Sequence, residues 1–227
     1  MRIGFVTALA DEARTLAFTG EPEMRHLVDI AGPGMDNAAR AADRLLDRGA
    51  EGLISWGTAG GLDPRLGSGF VVLYRAVVDA TTDRYDCDSN WCSMLAQSLS
   101  AMNPALETGF SAEHAVATAV EKAALWQQYG CAAIDMESAA VARSARDAGL
   151  PFVALRVIVD SADFELPRAA LSALSHGGQP RALPVARELL RRPWEIPALL
   201  TLAARYRAAL ARLRLAARLL RPDFGAK

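Results

Sequence analysis

The sequence predicts an α/β fold, a largely parallel or mixed sheet with helices on both faces, and two observations carry the prediction. Short strand-like runs alternate along the chain with segments whose apolar residues recur at spacings of three and four, the succession that lays helices over a sheet. Residues 151–160, PFVALRVIVD, form an almost unbroken apolar run, as a strand buried on both faces requires. The size fits one such unit: 227 residues, 52% hydrophobic and 22% charged, make one sizeable core and are few for two.

The first strand is RIGFVTAL (residues 2–9), and Asp11 and Glu12 follow where a cleaved leader would need small residues, so this start reads as structure rather than as a signal peptide. Residues 36–50, DNAARAADRLLDRGA, have helical spacing, an Asp/Asn start and a Gly stop. GLISWGTAGG (52–61) is a strand ending in glycines, and GFVVLYRAVV (69–78) is another. TTDRYDCDSNW (81–91) is polar and predicts a loop. AAIDM (132–136) is a short strand, ESAAVARSARDAG (137–149) a helix, and 151–160 the buried strand. Beyond it, RRPWEIPALLTLAARYRAALARLRLAARLL (191–220) is a helical appendage introduced by prolines. The organisation expected is a body over residues 1–180 and a basic helical extension, 181–227, packed on the same domain.

A formal net charge of −1 conceals an asymmetry: residues from Arg181 onward carry +8, and the preceding 180 carry −9. The acidic body argues against general nucleic-acid binding. Cys87, Cys92 and Cys131 make an odd count without metal-ligand spacing, which points to a reducing cytoplasm and no structural metal. No apolar run approaches the roughly 18 to 20 residues of a membrane span. His114 and Trp91 are candidates to line a pocket, with core or loop roles the plainer reading.

In open α/β sheets the ligand crevice lies beyond the carboxyl ends of the strands. The ends that stand out are Asp11 and Glu12, the WGTAGG stretch from Trp56 to Gly61, DMES from Asp135 to Ser138, and VDSAD from Val159 to Asp163. Each alone has an ordinary reading, an Asp as a helix cap or a Gly as the freedom a tight turn needs. Together they make a site rich in carboxylates, hydroxyls and backbone donors.

Taken in order, MRIGFVTALADEA, GPGMDNAA, WGTAGGLDPRLGSGFVV, AIDMESAAVA and PFVALRVIVDSAD resemble the nucleoside phosphorylase and nucleosidase superfamily, which includes purine nucleoside phosphorylase and methylthioadenosine/S-adenosylhomocysteine nucleosidase. The resemblance covers most of residues 1–163 and implies a three-layer α/β/α fold with a central mixed, partly barrel-like sheet. It further implies that Glu137 accepts hydrogen bonds from two ribose hydroxyls, a task that suits the two oxygens of a carboxylate. Met136 would pack against the sugar. Asp160 would protonate the purine at N7, making the base a better leaving group, with Asp163 orienting it. The plain structural readings are a first-turn helix acid for Glu137 and a capping Asp for Asp160.

The family pattern leaves the nucleophile open. In the hydrolytic branch Glu12 would activate water. In the phosphorolytic branch Thr58 and the amides of Gly57, Ala59 and Gly60 would hold phosphate. Ser55 stands where some phosphorylases carry Arg, with Arg14 and Arg40 as conceivable substitutes. The span between the first strand and GPGMDNAA is about twenty residues shorter than nucleosidases lead one to expect. This and the basic C-terminus resemble the hopanoid-associated phosphorylases. On a helical wheel Leu199, Leu202, Tyr206, Leu210, Leu213, Ala217 and Leu220 form one apolar stripe, and Ala204, Ala208, Ala211, Leu215 and Leu219 a second, with arginines between.

The expected function is therefore phosphorolysis of a 5′-modified, adenosylhopane-like purine nucleoside with inorganic phosphate as co-substrate and no other cofactor. The alternatives are hydrolysis of the methylthioadenosine/S-adenosylhomocysteine type and a non-catalytic nucleoside-binding or membrane-adaptor module. A dinucleotide-binding reading of AGPGMDNAA fails because the glycine pair does not follow the first strand and lacks the third Gly. The resemblance implies a cytoplasmic homodimer, and the C-terminal helix adds an expected peripheral contact with the inner membrane.

Overall fold

The computed structural model describes residues 1–17, 26–174, 182–220 and 224–225. In chain order the elements are β1 (Ile3–Thr7), α1 (Ala10–Ala13), β2 (Leu27–Ile30), α2 (Met35–Asp47), β3 (Gly52–Gly61), β4 (Val71–Asp79) and β5 (Arg84–Asp86). There follow α3 (Ser89–Ser98), β6 (Ala105–Ser111), α4 (Ala119–Tyr129), β7 (Ala133–Asp135), α5 (Ser138–Asp147), β8 (Phe152–Asp160), α6 (Arg168–Leu174), α7 (Ala182–Arg191) and α8 (Ile196–Leu219).

The strands run in the order β2-β1-β3-β7-β6-β4-β5, with β8 pairing both β3 and β4. The path β3-β7-β6-β4-β8 thus returns to β3 and closes a small barrel, from which β1 and β2 extend on one side and β5 on the other. The sheet is mixed: β8 lies parallel to β3 and antiparallel to β4. Closure depends on β3. It pairs with β1 over Gly52 to Ser55 and with β8 over most of its length, shifts register between Ala59 and Gly60, and turns its last residues onto β7.

Helices on both faces complete a three-layer α/β/α fold, as the resemblance implied. α2 and α5 pack on each other and on β1, β3 and β8, while α8 lies against β8 and β3. All nine residues of β8 are buried, which accounts for the unbroken apolar run in its sequence. The Gly stops also appear: Gly49 and Gly149 follow α2 and α5 at φ +82° and +67°, the left-handed turn that a residue with a Cβ resists.

The polar stretch 81–91 is not the loop expected. It carries β5 and opens α3, because Tyr85 turns into the core and Asp88 caps the helix by accepting the Trp91 amide at 2.8 Å. The α4 helix had a legible start, a reciprocal cap between Thr118 and Glu121. The C-terminal helix divides as its two stripes suggest. Leu213 and Ala217, joined by Ala209 and Ala216, are buried against the body, while Leu215 and Leu219 face outward, 41% and 38% exposed. The boundary expected at residue 180 lies outside the described residues. Trp91 is a core residue, its indole N–H donating to the carbonyl of Phe224 at 2.7 Å. Phe224 meets Phe5 and Trp56 edge-on at 4.9 and 6.2 Å.

Candidate active site

The carboxyl half of β3 is the spine of the site. Glu12, in the one-turn α1 helix that follows β1, is buried; its Oε1 accepts both the amide and the hydroxyl of Thr58 at 2.8 Å, and its Oε2 accepts the Leu9 amide at 3.1 Å. Burial raises its carboxyl above the ordinary glutamate range, opposed by Arg156 and by the Thr58 donors. Gly57 makes this packing possible. A Cβ there would lie 2.7 Å from the Arg156 guanidinium and 2.8 Å from Glu12 Oε1.

Arg156, from the middle of β8, organises the floor. Its Nε donates to Asp135 Oδ2 at 3.0 Å, and its Nη2 to the hydroxyls of Ser55 at 2.7 Å and Ser138 at 2.9 Å. Asp135 also accepts the Ser111 hydroxyl and the Glu137 and Ser138 amides. Burial works against the Asp135 charge, yet Arg156 and these donors hold the carboxyl below its usual range. Glu137 has fewer partners, the Gly34 amide at 3.1 Å, the Met136 amide at 3.3 Å and Arg156 across 3.7 Å, and burial pushes it up to about 7. The two acids flanking Met136 therefore differ in kind: Asp135 is tied into the fold, and Glu137 keeps capacity to accept. Met136 itself is half-buried.

Asp160 ends β8 beside Gly60, where a Cβ would approach its Oδ2 to 3.2 Å. Burial raises its carboxyl, opposed first by Lys122. Lys122, from α4, is wholly buried and donates to Asp160 Oδ2 at 2.5 Å. Asp163 does not touch this pair; it is exposed and accepts the Ser161 hydroxyl at 2.5 Å. From α8, Arg205 lies over the Phe164 ring at 4.5 Å, and Tyr206 brings a buried hydroxyl without a hydrogen-bond partner. Burial, reinforced by the charges of Glu12 and Asp11, raises that phenol.

The fold thus brings Glu12, Thr58, Gly60, Glu137 and Asp160 to one end of the barrel. Sequence reasoning did not single out Arg156 and Lys122. Arg156 had a signal, a lone cation inside an otherwise apolar strand, and it reaches Ser55, the position where an arginine was looked for. Arg14 and Arg40 are surface residues engaged with Asp11 and Asn37. Among the described residues no cluster of His, Cys, Asp and Glu could hold a metal ion.

The closed mixed barrel gathers these carboxylates at its strand ends. The family profile described as the phosphorylase superfamily matches residues 9–192, and the chain belongs to that family. No curated protein matches the chain. Among solved structures it is similar to a 5′-methylthioadenosine/S-adenosylhomocysteine nucleosidase from Neisseria meningitidis in complex with methylthio-immucillin-A, at 19% identity and TM-score 0.72 over 96% of this chain and 98% of that one. Futalosine hydrolase of Helicobacter pylori strain 26695 is similar at 17% identity and TM-score 0.66, over 84% and 98%. A mutant of the H. pylori methylthioadenosine nucleosidase, with 5′-methylthioadenosine in its active site, is similar at 16% identity and TM-score 0.66, over 84% and 98%.

These neighbours are nucleosidases and a hydrolase, and they overturn the likeness to hopanoid-associated phosphorylases and with it the phosphorolytic, lipid-linked substrate. The site supplies a physical reason. The Thr58 hydroxyl, expected to hold phosphate, donates to Glu12, as does the Thr58 amide, and Arg156 is committed to Asp135, Ser55 and Ser138.

Proposed function

We propose that the protein hydrolyses the N-glycosidic bond of a 5′-substituted adenine nucleoside of the methylthioadenosine/S-adenosylhomocysteine class. The observation that carries this reading is the Glu12–Thr58 pair: a buried carboxyl group accepts from both the amide and the hydroxyl of Thr58, the residue that would hold phosphate in the phosphorolytic branch. A water molecule is the nucleophile compatible with that neighbour. Glu12 takes a proton from the water as its oxygen bonds to C1′; the bond from C1′ to the base breaks, and Asp160 delivers its proton to the purine N7. Glu137 accepts from the ribose hydroxyls, which fixes the sugar as it acquires oxocarbenium character, and Met136 packs against it.

The finer expectations about assembly and place belong to the same reading: a cytoplasmic homodimer whose basic extension is part of the catalytic domain. Exposed Leu215 and Leu219 on α8 supply apolar surface for a contact, and no described helix is long and apolar enough to cross a membrane. Asp163, held by Ser161, would order the loop after β8 and so act on Asp160 through the backbone.

The test is base release from 5′-methylthioadenosine with and without inorganic phosphate, the sugar being identified by mass. Free 5-methylthioribose formed at a rate independent of phosphate is the expected result; a sugar 1-phosphate would overturn the reading. Asp160→Asn is expected to lower kcat by about 10²-fold to 10⁴-fold with substrate binding retained.

A further inference from the structure

One buried group that the reaction does not yet use is Lys122. Its side chain is fully buried, which a lysine tolerates only when its charge is matched. An ammonium has three donors, and all three are matched: Nζ lies 2.5 Å from Asp160 Oδ2, 2.9 Å from the Phe164 carbonyl and 3.0 Å from the Ser161 carbonyl. The lysine therefore ties the end of β8 and the loop beyond it to α4.

We infer that Lys122 is the positioning residue of the proton donor: by donating to Oδ2 it confines the transferable proton of Asp160 to Oδ1, and it stays in place as counter-ion to the carboxylate left behind. This rests on the reading of Asp160 as the general acid. The geometry gives it direction. An oxygen that accepts from an ammonium at 2.5 Å does not carry a proton along the same line, so the acid form holds its hydrogen on the other oxygen. When that proton passes to the base, the new anion is already paired, and no solvent needs to reorganise around it.

Few other charges face Asp160. Arg205 approaches from α8 and favours the carboxylate as Lys122 does, while Asp163 sits beyond Ser161 in the loop after β8. On the inner side β3 and β7 present Gly60 and Ile134, which do not titrate. Lys122 is the cation in direct contact, and its removal leaves a buried carboxyl group opposed at hydrogen-bond range by its own backbone amide alone.

Lys122→Met separates this role from a merely structural one. The Asp160 carboxyl, followed by carbon NMR in the free protein, is expected to hold its proton to a pH higher by about one unit or more than in the wild type. In turnover, kcat is expected to fall about tenfold to a hundredfold with KM little changed, and the alkaline limb of the rate profile to move upward in parallel. Lys122→Arg, which keeps the charge, should leave the limb near its wild-type position. If Lys122→Met does not fold, Lys122→Gln keeps N–H donors without the charge and serves the same comparison. An unshifted Asp160 titration in the uncharged variant, or a limb that moves equally in the arginine variant, would overturn the inference. The NMR titration needs no substrate, so its outcome is independent of the reaction assigned; full activity of Asp160→Asn would sink that assignment instead.

Discussion

Arg156 decides how charge is shared among the acids around it. Asp135 receives the short guanidinium contact, two backbone amides and two hydroxyls, and remains ionised; Glu137 has the longer 3.7 Å pairing and one amide from another element. Burial then wins at Glu137, whose carboxyl rises to about 7 from 4.5. The native state thus binds a proton that the unfolded chain releases between those values. Stability conferred by Glu137 is full below pH 4.5 and is lost as pH climbs through about 7. Against Glu137→Gln, which does not titrate, the wild type is expected to lose on the order of 1–3 kcal/mol over that window, measured by urea unfolding at fixed temperature. A constant difference between the two proteins would show that Glu137 is ionised in the fold.

At the scale of elements, β3 bears most of the design. Its glycines let one strand serve two partners and let side chains from α1 and β8 meet across it, so Gly57→Ala tests the element rather than a single contact. The added methyl meets Arg156 and Glu12 inside van der Waals distance, and neither side chain is free to swing away. The variant is expected to lose about 1–3 kcal/mol of stability and most of its turnover, read by chemical denaturation and the nucleoside assay. Much of this element-level plan was legible, because four strand ends carrying glycines, acids or hydroxyls recur along the chain, although each alone reads as a cap or a turn. Residues 81–91 were not, since only Tyr85 and the cap of Asp88 distinguish them from a surface loop. Lys122 was hidden for a related reason: on a helix a lysine ordinarily reads as solvated, and its partner lies 38 residues away in sequence. Asp163, expected to orient Asp160, accepts from Ser161 instead, a partner that three residues of spacing do not reveal.

For the whole molecule the fold class followed from periodicity, whereas closure of the barrel did not, because it depends on which strands β8 joins, and no local pattern encodes that. The C-terminal segment shows the same limit. Its stripes told that one face would be covered, but not that Tyr206 and Arg205 would stand over the catalytic end. Because Leu213, Ala216 and Ala217 belong to the main core, a chain ended at Glu195 is expected to lose cooperative unfolding and protease resistance rather than to leave an intact body. Limited proteolysis and the unfolding transition of that shortened chain check this; a sharp transition near the wild-type midpoint would mean that the body folds by itself.

The seating of Phe224 against Phe5 and Trp56 bears on how the protein is made. The ring that covers the first strand leaves the ribosome more than two hundred residues after that strand does. Until Phe224 is translated, therefore, Phe5 has, among the described residues, only His26 and Trp56 as ring partners, and this corner of the core closes late.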